Sequence, residues 1–295
     1  MTHKVAVFGL GSMGFGIARS LLRAGQQVWG HDINADAVSR FQEEGGESDA
    51  QDPSALDTVV VVVLNATQTE DVLFGANGVV PALSAGTCVI SCATVPPDFA
   101  RDMAARCREH GVHYLDAPIS GGSVKAAQGK LSVMAGGSVD AFAAARPALD
   151  AMAETVFELG EVGAGSAMKA VNQLLAGVHI ATMAEALTFG MTQGVEPAKF
   201  VEVISQCAGT SWMLENRAPH IVDGDYTPHS AVNIWLKDLG IVLDIAKSAR
   251  FSAPVTAAAL QQFIAAAGQG LGHEDDAAVA KVYARNTGLA LPGED

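Results

Sequence analysis

The sequence predicts an α/β protein in which a doubly wound parallel sheet is followed by an all-α C-terminal domain. Through residue 164, short apolar runs alternate with helical segments, the pattern of a parallel sheet covered by helices on both faces. A glycine-rich turn, Gly9–Gly14, directly follows the first apolar run and opens a helical segment. After about Gly165 only helical patterns remain. We therefore expect two domains, residues 1–164 and 165–295.

Six short runs have the length and composition of buried strands. One of them contains Val59–Val63 without interruption, which is typical of a strand that is covered on both faces. The predicted strands are Lys4–Phe8, Gln27–His31, Asp57–Leu64, Thr87–Ser91, His113–Asp116 and Leu131–Ala135. Helix-forming segments lie between them at Gly14–Ala24 and Pro97–His110, and another follows the last strand at Val139–Met152. Because helices separate successive strands, we expect the strands to run parallel.

The C-terminal domain begins with a long helical pattern, Ser166–Gln193. Ser166 is a suitable N-cap for this helix, and Gly194 is a suitable stop signal. Further helices are predicted at Pro197–Ser205, Ala231–Ser248 and Val255–Gly268. No internal repeat or flexible linker separates the two domains, so we expect the long helix itself to join them.

Composition excludes several classes of partner. The chain has 295 residues and a formal net charge of −14, from 18 basic and 32 acidic side chains. Nucleic acids and anionic membranes both require a cationic surface, so neither is an expected partner. The most apolar uncharged window, residues 170–184, is interrupted by Asn172, Gln173 and His179, so no membrane span is expected.

The four cysteines have no metal-ligand spacing. Cys88 and Cys92 lie in a strand-like run and are expected to be free buried thiols, which points to a reducing compartment. We expect a soluble cytoplasmic protein without a metal site. The acidic pairs Glu43–Glu44 and Asp275–Asp276 are interpreted as solvated faces, and His179, Trp212 and Trp235 as packing residues.

The turn at Gly9–Gly14 has the G-x-G-x-x-G spacing of a dinucleotide-binding loop. Its residues Gly9, Leu10, Gly11, Ser12, Met13 and Gly14 lie between a strand and a helix, so the helix N-terminus can face a pyrophosphate. Asp32 ends the second predicted strand, where an acidic side chain accepts hydrogen bonds from the adenosine ribose. A carboxylate there repels a 2′-phosphate, so NAD is expected rather than NADP. The alternative is a glycine turn with a purely structural use.

A polar group interrupts the apolar long helix near its start. Lys169, Asn172 and Gln173 have i, i+3 and i+4 spacing, so they share one helix face. A lysine in such a helix is often a surface residue whose apolar stem packs on the protein. Two amides on the same face, at the predicted domain junction, favour a functional lysine instead, because ligands commonly bind between domains.

A second polar segment follows the strand that ends at Asp116. Ser120, Gly121, Gly122 and Ser123 offer hydroxyls and backbone N–H groups that can bind a carboxylate. An ordinary glycine turn is the alternative interpretation.

Four motifs taken together resemble the β-hydroxyacid dehydrogenases, the 3-hydroxyisobutyrate dehydrogenase family. They are Gly9–Gly14, Asp116–Gly122, Gly165–Asn172 and Lys237–Leu239, and they span essentially the whole chain in the family's order. The resemblance implies a Rossmann-like first domain, an all-α second domain, and a homodimer or homotetramer. It also implies that Lys169 is the catalytic acid/base and that Ser120, Gly121 and Gly122 bind the substrate carboxylate. The same resemblance implies that Asn172 and Lys237 complete the active site, with Lys237 also near the cofactor, and that Leu64, Asn65 and Thr94 contact the cofactor near its nicotinamide.

The chain departs from many family members at one position, because Asn172 is followed by Gln173 where they have a second asparagine. Two runs, residues 172–180 and 215–228, are similar to those of the L-threonate dehydrogenases, which oxidise the C2 hydroxyl of a four-carbon sugar acid. A polyhydroxylated substrate would also suit Ser123 and Gln173. Alternatives within the family are 3-hydroxyisobutyrate dehydrogenase and reductases of tartronate semialdehyde or other semialdehydes.

Two more distant alternatives are an imine reductase and a non-catalytic NAD-binding module. Imine reductases usually replace the lysine, so Lys169 argues against the first, and the intact lysine, asparagine and glycine set argues against the second. A lysine acts as a base only when its amine is neutral. We expect burial and a neighbouring cation, Lys237, to favour that form, and therefore an alkaline optimum for oxidation.

Overall fold

A computed structural model of the chain describes residues 2–48 and 52–293. The chain divides into two compact units, Met1–Lys169 and Ala170–Asp295. The first unit is built on a parallel sheet, and the second is built from helices.

The main sheet has five parallel strands in the order β2-β1-β3-β4-β5. The strands are β1 (Lys4–Phe8), β2 (Gln27–His31), β3 (Thr58–Val61), β4 (Cys88–Ser91) and β5 (His113–Asp116). Phe8 pairs with His31 on one side and with Val61 on the other, so the three strands end at the same level. The chain reverses its direction of winding between β1 and β3, which is where doubly wound sheets bind ligands. The predicted fold class is confirmed.

Helices cover both faces of this sheet. The helices of the first unit are α1 (Ser12–Arg23), α2 (Ala35–Glu43), α3 (Ala66–Phe74), α4 (Pro97–Glu109), α5 (Gly122–Gln128) and α6 (Val139–Met152). Val5 and Val7 of β1 pack into one fully buried cluster with residues of α1 and α6. Ala6, between them, packs into a second cluster with residues of α3 and α4. Successive side chains of a strand point to opposite faces, so both faces of the sheet are apolar.

The predicted strand Leu131–Ala135 is present, but it does not belong to the main sheet. It is the central strand, β7, of a second sheet, antiparallel to β6 (Ile119–Ser120) and parallel to β8 (Ala153–Glu158). The backbone groups of Asp116 exchange two hydrogen bonds with those of Gly136, so the end of β5 pairs antiparallel with the residue that follows β7. β8 is not predicted from the sequence because its side chains are mostly exposed and lack an apolar alternation.

The second unit is all-α over its described residues, 170–293, apart from one isolated bridge between Ala231 and Asp275. Helix α7 (Ala164–Thr192) begins in the first unit and is followed by α8 (Pro197–Ile204), α9 (Trp212–Asp223), α10 (Val232–Ser248), α11 (Pro254–Ala266) and α12 (Ala280–Thr287). The sequence does not predict α9, which contains Pro219 in its interior. Ser166 is not the N-cap of the long helix, because the helix begins two residues earlier.

Helix α7 is apolar enough to cross a membrane by length and composition alone, a test that the core helix of a soluble protein also passes. Its best window has a mean hydropathy of 1.4, with 39% of the window buried within the protein. Ile180, Ala184 and Leu187 of this helix are buried in the apolar core of the second unit. Part of the apolar surface of α7 is therefore used in packing a helical core.

Asp275 and Asp276 are fully buried, so their interpretation as a solvated face is wrong. Asp276 accepts hydrogen bonds from Arg217 Nε at 2.6 Å and from Trp235 Nε1 at 2.8 Å. Asp275 bonds to His220 Nδ1 at 2.9 Å. Burial raises the pKa of Asp276, and the charge of Arg217 opposes that rise. These three side-chain partners lie at least 40 residues away from the two aspartates in sequence. The aspartates and their partners therefore form a structural cluster of charged and polar groups in the helical unit.

Candidate active site

The glycine-rich turn lies at the carboxyl end of β1, as predicted. Gly9 has φ +97°, and a Cβ there would clash with the carbonyl oxygen of Val62 after β3. A Cβ on Gly14 would clash with the carbonyl oxygen of Gly9. Helix α1 then begins at Ser12, and Gly11 at its N-cap supplies no side-chain acceptor for the first N–H groups. A helix N-terminus built in this way suits the negative charge of a pyrophosphate.

Asp32 lies beside the turn, and its carboxylate is held by two backbone groups. It accepts hydrogen bonds from the Leu10 N–H at 2.6 Å and the Asn34 N–H at 2.8 Å. A cavity of about 310 Å³ opens there, lined by Leu10, Gly11, Ser12, Phe15, Asp32, Asn34, Ala37 and Arg40. Each carboxylate oxygen has a further lone pair that can accept a bond from a ribose hydroxyl. The cavity, the turn and the carboxylate therefore fit the adenosine and pyrophosphate of NAD.

Arg40 lines the same cavity and is not predicted from the sequence. It lies on α2, and its guanidinium carbon is 5.4 Å from the centroid of the Phe15 ring. The sequence places no arginine next to Asp32. Arg40 comes eight residues later, on the following helix, and the fold brings it to the same cavity. A cation here bears on the choice between NAD and NADP, because arginine is the usual partner of a 2′-phosphate.

Leu64, Asn65 and Thr94 follow β3 and β4, so they lie at the same edge of the sheet as the glycine turn. Asn65 is the N-cap of α3, since its side chain accepts a hydrogen bond from the Gln68 N–H at 2.9 Å. The Leu64 N–H donates to the Gln68 side chain at 2.9 Å, and the Leu64 side chain is 53% exposed. The structure thus brings the predicted cofactor residues of the first unit to the carboxyl edge of one sheet.

Lys169 lies on α7 and is buried, with 9% of the residue exposed. Its Nζ donates a hydrogen bond to the carbonyl oxygen of Ile119 at 2.9 Å. Ile119 immediately precedes Ser120, and the next two residues, Gly121 and Gly122, have φ +134° and +74°. Ser123 follows in the first turn of α5, a short helix that begins at Gly122. The structure therefore brings Lys169 to the residue next to the predicted carboxylate-binding segment.

Asp116 has a structural role that the sequence does not reveal. Its carboxylate accepts hydrogen bonds from the Gly163 N–H, the Ser166 N–H and the Ser166 hydroxyl, at 3.0, 2.8 and 2.6 Å. Ser166 lies in the first turn of α7, the helix that contains Lys169, and Gly163 directly precedes that helix. Burial raises the pKa of Asp116, while these hydrogen bonds and the charge of Arg101 oppose the rise.

The second unit has its own polar chain, formed by Asn172, Gln173, Asp238 and Lys237. Asn172 Nδ2 donates to Gln173 Oε1 at 2.9 Å, and Gln173 Nε2 donates to Asp238 Oδ2 at 2.5 Å. Lys237 Nζ pairs with Asp238 Oδ1 at 2.5 Å. Asp238, which is 3% exposed, is not among the predicted residues, although it directly follows Lys237 in the Lys-Asp-Leu motif.

The ion pair determines the orientation of both amides. An ionised Asp238 only accepts hydrogen bonds, so Gln173 must turn its NH₂ group toward it. The carbonyl oxygen of Gln173 then faces Asn172, which must offer its own NH₂ group. This leaves Asn172 Oδ1 directed away from Gln173, where it can accept a hydrogen bond from a hydroxyl group. Both polar ends of the Gln173 side chain are engaged within the chain.

Over residues 2–48 and 52–293, no group of three or more His, Cys, Asp or Glu side chains is arranged to hold a metal ion. The titratable residues at the predicted site are lysines and aspartates with hydrogen-bonded or ionic partners.

Two family models together cover most of the chain. Residues 4–160 match the NAD-binding domain of 6-phosphogluconate dehydrogenase, and residues 163–283 match the NAD-binding domain of NADP-dependent 3-hydroxyisobutyrate dehydrogenase. The L-threonate dehydrogenase of Cupriavidus necator is 49% identical, over 100% of this chain and 99% of the relative. The L-threonate dehydrogenase of Escherichia coli O6:H1 is 47% identical, over 98% and 96%.

A solved structure agrees with these matches. The crystal structure of a 3-hydroxyisobutyrate dehydrogenase from Salmonella typhimurium is 45% identical and superposes with a TM-score of 0.90, covering 95% of this chain and 99% of that one. Matches of this identity extend over both units. The chain therefore belongs to the NAD-dependent hydroxyacid dehydrogenases, the family that contains the 3-hydroxyisobutyrate and L-threonate dehydrogenases.

Proposed function

We propose that this enzyme oxidises the C2 hydroxyl of a small sugar acid, L-threonate to 2-dehydro-L-erythronate, with Lys169 as the acid/base. Five L-threonate dehydrogenases are 43–49% identical to the chain over nearly its whole length, which supports the choice of substrate. The observation on which the mechanism depends is the 2.9 Å hydrogen bond from Lys169 Nζ to Ile119, one residue before Ser120.

In the proposed reaction the C2 hydroxyl becomes a carbonyl. NAD, when bound, supplies a hydride acceptor for the hydrogen on C2. The hydroxyl proton must leave at the same time, and Lys169 is the base that accepts it. Donation to Ile119 uses an N–H bond of Lys169 and not its lone pair, so this contact is compatible with a basic amine. In the reverse direction the same amine returns the proton to the carbonyl oxygen.

The remaining site residues are proposed to bind and orient the substrate. Ser120, Gly121 and Gly122 would hold its carboxylate through hydroxyl and backbone N–H groups, with Ser123 beside them. Asn172 would accept a hydrogen bond from a substrate hydroxyl, because its oxygen is the atom turned away from Gln173. Gln173 would then act by orienting Asn172. Lys237 would contribute positive charge near the substrate and the cofactor, moderated by its pairing with Asp238.

We infer further that residues 1–164 bind the cofactor and that residues 165–295 serve substrate binding and oligomer formation. A soluble cytoplasmic homodimer or homotetramer fits the metabolic role of the relatives. No nucleic-acid or membrane partner is proposed, in keeping with the formal charge of −14. The global charge repels an anionic substrate, so its binding must come from local groups such as the Ser120–Gly122 segment.

A panel of hydroxy acids with three and four carbons, assayed for NADH formation, tests the substrate. L-Threonate should give the highest kcat/KM, ahead of 3-hydroxyisobutyrate and glycerate. If 3-hydroxyisobutyrate is the best substrate, the L-threonate assignment is wrong and the family assignment stands. If tartronate semialdehyde or another semialdehyde is reduced faster than any hydroxy acid is oxidised, the enzyme works mainly as a reductase.

A further inference from the structure

We propose that Asp116 is a positioning residue that sets the location of the Lys169 amine relative to the Ser120–Gly122 segment. The inference rests on the proposed acid/base role of Lys169. Asp116 itself needs no contact with substrate or cofactor, since its carboxylate acts on the helix that contains Lys169.

The first support is the set of donors around Asp116. Its carboxylate binds the N–H of Gly163 and both the N–H and the hydroxyl of Ser166. Asp116 and Ser166 are each only 1% exposed. The first N–H groups of a helix have no partners within the helix, so a buried carboxylate at this end both satisfies them and interacts favourably with the helix dipole. Ser166 precedes Lys169 by three residues, which is less than one helical turn.

The second support is that the same short segment holds α7 at a second point. Three residues after Asp116, the carbonyl of Ile119 accepts the hydrogen bond from Lys169 Nζ. The segment between them is tied to β7, because the Met134 N–H donates to the Pro118 carbonyl at 2.9 Å. Residues 116–119 therefore hold both the start of the helix and the end of the lysine side chain.

The third support is the close approach of backbones at Gly165. A Cβ on this residue would clash with the carbonyl oxygens of both Asp116 and Met134. The first turn of α7 therefore lies directly on the ends of β5 and β7, without intervening side chains. Because the packing is this close, we expect a change in the hydrogen bonds of Asp116 to shift the helix start, and Lys169 with it. Displacements of about 1 Å can cost roughly a hundredfold in rate.

Replacement of a donor or of the acceptor tests the proposal. Ser166→Ala removes one hydrogen bond, and Asp116→Asn places an NH₂ group where a carboxylate oxygen receives donors. We expect both variants to lower kcat for L-threonate by about tenfold to a hundredfold. NADH affinity, measured by fluorescence titration, should stay within about twofold, because the cofactor turn does not contact these residues. Ser166→Thr keeps the hydroxyl and should restore most of the kcat.

Ser138→Ala is the matched control. Ser138 caps α6 in the same unit by accepting a hydrogen bond from the Ala141 N–H at 3.1 Å. Loss of this helix cap should lower Tm without changing kcat, since α6 does not contain Lys169. If Ser166→Ala and Asp116→Asn keep kcat within about twofold of wild type, the proposal is overturned. If Asp116→Asn does not fold, the kcat values of Ser166→Ala and Ser166→Thr test the proposal without it.

A double variant separates this proposal from the proposed mechanism. If Ser166 acts through Lys169, Lys169→Ala/Ser166→Ala should turn over no more slowly than Lys169→Ala alone. A further loss of tenfold in the double variant would mean that Ser166 acts independently, which overturns the inference. If Lys169→Ala alone keeps a near-normal kcat, the acid/base role itself fails. If Lys169→Ala is inactive while the Asp116 and Ser166 variants are normal, only the positioning role fails.

Discussion

Lys169 combines two properties that a catalytic lysine requires. It is buried, and its amine is held in one direction by the Ile119 carbonyl instead of sampling solvent. In the proposed acid/base role, a side chain fixed in this way would lose little rotamer freedom when it accepts the substrate proton, and such preorganisation favours proton transfer.

Lys169→Ala should lower kcat by roughly two to four orders of magnitude, the usual contribution of a general acid/base. NADH binding, followed by fluorescence titration, should change little. The wild-type enzyme should oxidise its substrate faster as pH rises, because more of the lysine becomes neutral. Lys130→Ala, at an exposed lysine of the same unit, is the control and should leave kcat unchanged. A Lys169→Ala enzyme with normal turnover would contradict the assignment.

Asp32 and Arg40 carry opposite charges and line the same cavity, so we expect them to have opposite effects on the choice of cofactor. The carboxylate of Asp32 favours the free ribose hydroxyls of NAD, so we expect a kcat/KM preference for NAD of at least about a hundredfold, or roughly 2.7 kcal/mol. Asp32→Ser should raise kcat/KM for NADP, because Arg40 lines the same cavity and can pair with the 2′-phosphate. Adding Arg40→Ala to that variant should remove the gain. Equal turnover of NAD and NADP by the wild type would show that Asp32 does not contact the ribose.

Among the elements, α9 and α10 show how the helical unit is held together. Arg217 on α9 and Trp235 on α10 both donate to Asp276, and the carboxylate has no exposed surface. The cluster joins segments that are far apart in sequence. Arg217 and His220 of this cluster belong to the run of residues 215–228 that resembles the L-threonate dehydrogenases. Part of that resemblance therefore reflects the core of the unit and not contacts with substrate.

Arg217→Met should destabilise the protein by about 3–5 kcal/mol, because it leaves the buried carboxylate of Asp276 without its cation. Urea denaturation monitored by tryptophan fluorescence measures the loss. Lys247→Met, at an exposed position of α10, is the control and should stay within about 0.5 kcal/mol of wild type. A loss below about 1 kcal/mol for Arg217→Met would mean that the cluster does not depend on this arginine.

The elements differ in how well the sequence predicts them. β1, β2, β5 and β7 have the predicted bounds, because each is a short apolar run between turns. β3 ends at Val61, three residues before the predicted end, since the chain turns where Val62 meets Gly9. β8 has no clear alternation of apolar residues, and α9 contains a proline. Local sequence patterns therefore predict neither element.

The residues of the candidate site also differ in how well the sequence predicts them. The glycine turn, Asp32 and Lys169 belong to local motifs with a known spacing, so the sequence is sufficient to select them. The partners of Lys169 and Ser166 lie 50 residues earlier in the chain, and no local period connects such residues. The burial of Asp275 and Asp276 depends likewise on distant donors. Tertiary contacts of this kind become visible only in the folded structure.

On the scale of the whole molecule, the first unit encloses three of the four cysteines. Cys88, Cys92 and Cys107 are buried, as expected for the first two, whereas Cys207 in the second unit is exposed. Burial raises the pKa of Cys92 and of Cys107 to about 12, and it raises that of Cys88 as well. These three thiols therefore stay protonated at neutral and mildly alkaline pH, and only the thiolate is reactive.

A chromogenic disulfide reagent at mildly alkaline pH should therefore modify one thiol per folded chain and all four in denaturant. Cys207→Ser should abolish the fast reaction. Cys107→Ser should leave it unchanged, which makes it the matched control. Rapid modification of a second thiol in the folded enzyme would show that the sheet of the first unit opens more readily than its burial implies.

The anchoring of α7 on Asp116 also has a consequence for how the enzyme refolds. Asp116 ends β5, the last strand of the main sheet, and its donors come 47 to 50 residues later. Helical turns form locally and fast, whereas contacts between distant residues form slowly because a long loop must close first. The helix that contains Lys169 can thus form early, but its start is anchored only after β5 has joined the sheet. After dilution from denaturant, helical circular dichroism should therefore recover before turnover of the hydroxy acid does.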